Sequence, residues 1–192
     1  MRAWSGGCPC CAAPGGERPG TGRRGLLLGA LGLAAGPVAA QGLDGAPRAI
    51  AVQRMQTGES FSGVYWRDGR YDREALRRLD WVLRDPAMDE ATPMDPRLFD
   101  VLCAVAQRLE ASEGFQVISA YRAPETNEQR ARESRRVSRA SLHMSGMAAD
   151  VRLPGRDSMG LARLAAEMQV GGVGLYRRDG FVHLDCGPAR RW

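Results

Sequence analysis

Two short stretches of this sequence, residues 141–150 and 181–185, hold the side chains best suited to chemistry. They contain both histidines of the chain, His143 and His183, together with Asp150. Imidazole nitrogen and carboxylate oxygen are ligands that zinc prefers, and a zinc site with three protein ligands keeps a fourth position open for a reaction. We therefore predict one catalytic zinc ion per chain, while noting that copper also binds such sites tightly. The competing interpretation makes the first histidine a surface loop residue and the second an ordinary strand residue.

The elements around these side chains must bring them together. Residues 148–153 are predicted to form a strand that carries Asp150, and residues 181–186 a strand that carries His183. His143 is expected in the loop before the first of these strands. A three-ligand site then requires that the two strands be neighbours and that the loop lie beside them.

The rest of the chain predicts an α+β fold, with an antiparallel sheet flanked by helices. Asp72 and Asp95 are typical helix N-caps, the second followed by a proline at the first helical position. Asp179-Gly180 is a favoured turn for a tight hairpin. The predicted strands are residues 49–55, 61–66, 115–120, 148–153, 172–176 and 181–186, and the predicted helices are residues 72–86, 95–114, 125–134 and 158–168.

Composition limits the classes of function. All 27 basic residues of the 192-residue chain are arginine, so any mechanism that needs a catalytic lysine is excluded. The net charge of +5 is concentrated in residues 1–40, and the remaining residues carry 23 arginines against 21 acidic residues. That near balance gives little support for a nucleic-acid partner, and we predict none.

The first 40 residues have the features of an export signal. Arg23-Arg24 precedes an apolar run over residues 25–35, and small residues follow up to Ala40. This order resembles a twin-arginine signal peptide with a cleavage site before Gln41. The alternative is an uncleaved membrane anchor, but the run is short for a bilayer span. We predict a signal peptide at 1–40, a flexible leader at 41–48, a domain at 49–192, and no stable membrane span after processing.

Two cysteines, Cys103 and Cys186, remain after the predicted cleavage. An oxidising compartment permits a disulfide between them. The sequence pattern predicts that Cys103 is buried in a helix, so we expect the two thiols to stay unpaired.

Several motifs occur together in this chain. They are Ser119-Ala-Tyr-Arg122, Ser141-x-His143-x-x-Gly146-x-Ala148-x-Asp150, Gly171-Gly-Val-Gly-Leu-Tyr176, Phe181-Val-His183-Leu-Asp185-Cys-Gly187 and Arg191-Trp192. Together they resemble the peptidase M15-type murein hydrolases, with the greatest likeness to the murein endopeptidase K group, over about residues 48–192. The resemblance implies the zinc-peptidase fold shared by D-Ala-D-Ala carboxypeptidases and the Hedgehog signalling domain, and cleavage of peptide cross-links in the bacterial cell wall.

The resemblance also implies roles for single residues. His143, Asp150 and His183 match the zinc ligands of the family. Arg122 matches the arginine of its Ser-x-Tyr-Arg motif, where a fixed guanidinium stabilises the negative charge of the tetrahedral intermediate. The competing role for this arginine is a salt bridge at a strand end. Ser141 either binds substrate or caps its own loop.

One position departs from the family pattern. Classical M15 dipeptidases carry a glutamate three residues before the last histidine ligand as general base, and this chain has Gly180 there. Asp185 lies two residues after His183 on the same face of the predicted strand. It is therefore a candidate either for the missing base or for a group that orients the imidazole.

The implied function is a zinc metallo-endopeptidase of peptidoglycan peptide stems, exported to the periplasm or cell envelope. Two alternatives stay open. A zinc-containing wall-binding module without turnover would explain the glycine at position 180, and a D-Ala carboxypeptidase would use the same fold on a free chain end. The residues alone do not indicate which cross-link is cut or whether an adaptor protein takes part.

Overall fold

The computed structural model of the chain describes residues 45–135 and 137–192. The predicted signal peptide and residues 41–44 of the predicted leader lie outside these residues, so both stay predictions. The second half of the leader is described, and a strand begins at its last residue, Arg48. In the part of the chain that the structure describes, no helix has the length and apolar character needed to cross a membrane.

The described residues form an α+β fold in which one sheet carries α-helices and a short 3-10 helix. The predicted strands and helices are confirmed, although the second helix ends at Arg108 and not near Gly114. Two short strands, Arg70–Tyr71 and Arg190–Arg191, and the 3-10 helix were not predicted. The strands are β1 (Arg48–Arg54), β2 (Ser60–Arg67), β3 (Arg70–Tyr71), β4 (Phe115–Ser119), β5 (Ala148–Arg152), β6 (Gly172–Tyr176), β7 (Phe181–Asp185) and β8 (Arg190–Arg191); the helices are α1 (Arg73–Val82), α2 (Pro96–Arg108), α3 (Pro124–Glu133), α4 (Ser158–Met168) and the 3-10 helix Leu142–Ser145.

The sheet is mixed, so the prediction of an antiparallel sheet is wrong in part. Among the described residues the strand order is β3-β2-β1-β4-β5-β7-β6-β8. The pairs β1–β4 and β6–β8 are parallel, and the other neighbours are antiparallel. Tight turns, which are visible in a sequence, join antiparallel strands, whereas a parallel pair needs a long crossover. Here β2, β3, α1 and α2 lie between β1 and β4 and return the chain to the same end of the sheet.

Helix α2 links the hydrophobic core to the loop that carries His143. Its apolar stripe, which includes Leu98, Leu102 and Val105, is completely buried and packs against β1 and β7. Asp95 caps its first turn by accepting a hydrogen bond from the Arg97 N–H at 3.0 Å. The Asp95 N–H in turn donates to the Gly146 carbonyl at 3.0 Å, so the start of this helix is tied to the loop that carries His143.

Both cysteines of the described region are free thiols. Cys103 is buried in α2 and Cys186 is half-buried just after β7. The expectation that they stay unpaired is confirmed.

Candidate metal centre

The sheet register places two of the three predicted ligands opposite each other. Asp150 on β5 pairs directly with His183 on the antiparallel strand β7. Side chains of directly opposed residues project from the same face of a sheet and lie close together. Asp150 and His183 are both buried, although each is a polar residue in a strand of otherwise apolar neighbours.

His143 reaches the same point from the 3-10 helix. Ser141 caps this helix by accepting the His143 N–H at 3.4 Å, and Gly146 ends it with a φ of 65°. The ring of His143 is oriented by its Nδ1, which lies 2.7 Å from the Ala120 carbonyl oxygen. A carbonyl can only accept, so Nδ1 carries the proton and Nε2 is left with its lone pair.

Three ligand atoms converge with the spacing that a tetrahedral metal requires. His143 Nε2 lies 3.2 Å from His183 Nδ1 and 3.3 Å from Asp150 Oδ1, and His183 Nδ1 lies 3.0 Å from the same oxygen. Zinc bonds of about 2.0–2.1 Å with tetrahedral angles place neighbouring ligand atoms about 3.3 Å apart. Among the described residues these three side chains form the group of histidine and acidic residues able to hold a metal ion.

The far side of His183 is held by Asp185. The ring Nε2 donates to Asp185 Oδ2 at 3.1 Å, which leaves Nδ1 for a metal. Asp185 is completely buried, and Arg190 donates to both of its oxygens at 3.1 and 2.7 Å. The N–H groups of Gly172 and Gly187 also donate to Oδ1, at 3.1 and 2.8 Å.

This network gives Asp185 an orienting geometry. Burial alone would raise the pKa of its carboxyl, but the contacts with His183, Arg190 and the Gly187 N–H hold that pKa at about 2. Both oxygens are engaged, and a carboxylate with so low a pKa is a weak base. The arrangement favours the orienting alternative over the general base.

The electrostatics of the site suit a cation. Burial would lower the pKa of His183, but its hydrogen bonds to Asp150 and Asp185 raise it to about 9. Burial would raise the pKa of Asp150, but the two imidazoles hold it far below its usual range. Burial also lowers the pKa of His143, which favours the neutral, ligating ring. Surroundings that stabilise a proton between these groups also stabilise a metal ion that replaces it.

The glycines of the 171–174 segment make room for these contacts. A Cβ on Gly172 would overlap Asp185 Oδ2, and a Cβ on Gly174 would lie 2.6 Å from the indole of Trp192. That indole packs on His183, with ring centroids 5.2 Å apart. The glycines at positions 172 and 174 therefore permit close packing around the imidazole of His183.

Arg122 lies beside the three ligands, and its side chain is 7 % exposed. It donates to Asn127 Oδ1 at 2.9 Å and to Ser119 Oγ at 3.3 Å, and its Nη2 lies 3.9 Å from Asp150 Oδ2. Burial lowers the pKa of this guanidinium, and the charge of Asp150 opposes that change. The structure thus brings Arg122 to the site and shows a weak contact with Asp150.

A cleft of about 310 Å³ opens onto the ligands. Arg122, Ser141, His143, Asp150 and His183 all line it, so the predicted site residues other than Asp185 share one cavity. Three charged residues of its wall were not predicted from the sequence. They come from α3, from the turn between β6 and β7, and from β8, and they are Arg130, Asp179 and Arg190.

One signal in the sequence pointed to Asp179. It directly precedes Gly180, the position where classical relatives carry the general base. Nothing comparable marked Arg130, which lies in a very polar helix with several arginines.

Comparisons with known proteins identify relatives of this chain. Residues 43–192 match the peptidase M15 family model described as peptidoglycan L,D-endopeptidase MepK. The chain is 37% identical over 147 residues to the peptidoglycan L,D-endopeptidase MepK of Escherichia coli K12, which covers 76% of this chain and 80% of that protein. It is 34% identical over 147 residues to the probable peptidoglycan L,D-endopeptidase MepK of Haemophilus influenzae, with 76% and 79% covered.

The packing of Trp192 on His183 is testable through Gly174. We expect Gly174→Ala to displace the indole and loosen the imidazole, and so to weaken the binding of a divalent ion about 10-fold or more. Competition titration with a chromogenic chelator measures this affinity, and circular dichroism checks the fold. Gly63→Ala in β2 is the matched control, because a Cβ there meets only the ring of Phe61, in the same strand, at 3.4 Å. Equal affinities in the two variants would contradict the packing role.

Proposed function

The chain belongs to the peptidase M15 family of peptidoglycan L,D-endopeptidases, and we propose from that premise how it cuts peptidoglycan. It is a peptidoglycan hydrolase; the bond we assign to it is an internal peptide bond between an L- and a D-configured residue, as the names of its relatives state. The observation that carries the proposal is the convergence of His143 Nε2, Asp150 Oδ1 and His183 Nδ1 at one wall of an open cleft.

We infer that these three residues hold a zinc ion. Their atoms are the nitrogen and oxygen donors that zinc accepts, and three protein ligands are typical of catalytic rather than structural sites. When bound, zinc supplies a Lewis acid that polarises a peptide carbonyl and makes water a stronger nucleophile at neutral pH. The chain's own residues orient the ligands, stabilise charge and move the proton.

Arg122 is the residue we assign to charge stabilisation. The carbonyl oxygen of the cut bond gains negative charge when water attacks, and a guanidinium already fixed in place stabilises that charge without further reorganisation. Asn127 and Ser119 fix this guanidinium, and its residue lines the cleft beside Asp150.

Asp179 is the residue we assign to proton transfer. The described cleft-lining residues include two carboxylates, and Asp150 is committed to the metal. A carboxylate oxygen of Asp179 would accept the proton of the attacking water and deliver it to the amine nitrogen as the C–N bond breaks. Asp185 then acts as a positioning residue that fixes the tautomer of His183, and Ser141 caps the loop at the wall of the cleft.

An enzyme of peptidoglycan works in the cell envelope. We propose that residues 1–40 direct its export and are then removed, in line with Arg23-Arg24 and the apolar run that follows. The named activity of the relatives supports an endopeptidase over the two alternatives, a non-catalytic wall-binding module and a D-Ala carboxypeptidase.

Digestion of cross-linked peptidoglycan tests the function. We expect the purified protein to convert dimeric muropeptides to monomers, with product masses that correspond to cleavage of an L,D bond. His183→Ala and a chelator should each abolish the conversion, and added zinc should restore the chelated protein only, since the variant lacks a ligand. Mass spectrometry of the products is the readout. Intact dimers with zinc bound one per chain would contradict catalysis and favour a binding module, and loss of terminal D-Ala alone would favour the carboxypeptidase.

The role of Asp179 is tested by Asp179→Asn. We expect kcat on an L,D-linked peptide to fall about 10²- to 10⁴-fold, because the amide cannot take up the proton. Zinc content should stay the same, since the residue is not a ligand. Asp68→Asn is the matched control, because Asp68 also precedes a glycine in an exposed hairpin turn, away from the cleft. A kcat equal to that of the control would rule out Asp179 as the base.

A further inference from the structure

Positive charge is in excess around the cleft once a divalent ion is bound. Its described lining includes Arg122, Arg130 and Arg190 against Asp150 and Asp179. Arg190 is paired with a carboxylate behind the site, and Asp150 is committed to the metal. A bound divalent ion would add two more positive charges. A cleft with such a field attracts anionic ligands.

Two buried arginines beside this cleft are incompletely paired. Arg54, the last residue of β1, is only 1% exposed. Within the described residues its Nε and Nη1 have no hydrogen-bond partner, and neither has the Nε of Arg122. Burial lowers the pKa of Arg54 to about 10, and the charges of Arg130 and Arg122 act in the same direction. The three guanidinium groups are therefore close enough to repel one another.

The neighbouring carboxylate offsets only part of this repulsion, because the charge of Asp85 raises the pKa of Arg54 and that pKa is still lowered. Asp85 is buried, and its two oxygens accept hydrogen bonds from the N–H groups of Ala87 and Ala123, each at 2.9 Å. A cluster of like charges with unpaired buried donors costs stability, and such a cluster in a folded protein needs an explanation. An anion that binds with the substrate would reduce the repulsion and so explain why the arginines lie together.

The wall next to Arg130 offers further donors. Ser138 Oγ accepts the Ala140 N–H at 3.0 Å, and Ser141 Oγ accepts the His143 N–H at 3.4 Å. Each hydroxyl is thereby oriented and keeps its own hydrogen for donation. Both residues line the cleft with Arg130, which is half-buried on α3.

We propose that Arg130, Ser138 and Ser141 form a subsite that binds a free carboxylate of the peptide, beside the bond that is cut. This proposal rests on the proposed function, because it concerns the substrate of that same site. A guanidinium binds a carboxylate through two parallel hydrogen bonds, and hydroxyl donors complete its shell. The enzyme would thus select peptides with a carboxylate next to the L,D bond and discriminate against the corresponding carboxamides.

Two synthetic peptides with the same L,D bond test the subsite, one with a free carboxylate on the residue next to that bond and one with a carboxamide. KM and kcat are measured with the zinc-loaded protein, and Kd is measured by calorimetry in the presence of a chelator, where turnover is prevented. We expect the wild-type protein to bind the carboxylate peptide about 10- to 100-fold more tightly, the range expected for a charge-assisted hydrogen bond.

Arg130→Gln should remove this preference by weakening the binding of the carboxylate peptide, so that its KM and Kd rise toward those of the carboxamide peptide. Arg130→Lys should keep part of the preference, because it keeps the charge but loses the paired geometry. Arg132→Gln is the matched control on the same helix; Arg132 is exposed and pairs with Glu128, so the preference should stay as in the wild type.

Equal Kd values for the two peptides in the wild-type protein would overturn the subsite. A preference that survives in Arg130→Gln would also overturn it, because the carboxylate would then be held elsewhere. If neither peptide is cleaved but the carboxylate peptide binds more tightly through Arg130, the subsite stands and the proposed function fails.

Discussion

The hydrogen bond between Asp185 and His183 is the contact on which the rest of the site depends. It fixes the proton on Nε2 and leaves Nδ1 to face Asp150 and His143. Asp185 itself is held by Arg190 and by two backbone N–H groups, so it has no freedom to move. The Gly172 position has no side chain because any Cβ would overlap this carboxylate. The proposed metal centre is therefore surrounded by closely packed groups that orient one of its ligands.

Much of the local structure could be predicted, because it follows from short-range signals. The Asp95-Pro96 helix start and the hairpin around Asp179-Gly180 occur where the sequence predicts them. The convergence of the three proposed ligands could be predicted too, because both histidines of the chain lie in recognisable spacing. The parallel pairing of β1 with β4 could not, since it depends on how two helices pack between the strands.

The charged residues around the cleft were harder to predict for a related reason. Arg130 lies at the cleft only because of the way α3 packs. Nothing in the neighbouring sequence distinguishes it from the other arginines of that helix. Arg54 differs, because Ile50, Val52 and Arg54 alternate along β1 and the first two are core residues. A charged residue at a position that this alternation assigns to the core conflicts with the apolar pattern of the strand. Conflicts of this kind can be detected in a sequence and are expected at functional sites.

The central claim is that one metal ion is held by His143 Nε2, Asp150 and His183 Nδ1. Anomalous diffraction at the zinc edge from crystals of the zinc-loaded protein tests it most directly. We expect one strong anomalous peak per chain within bonding distance of these three atoms, with Asp185 still hydrogen-bonded to His183. A peak coordinated by the sulfur of Cys186, or by Nε2 of His183 with Asp185 displaced, would contradict it.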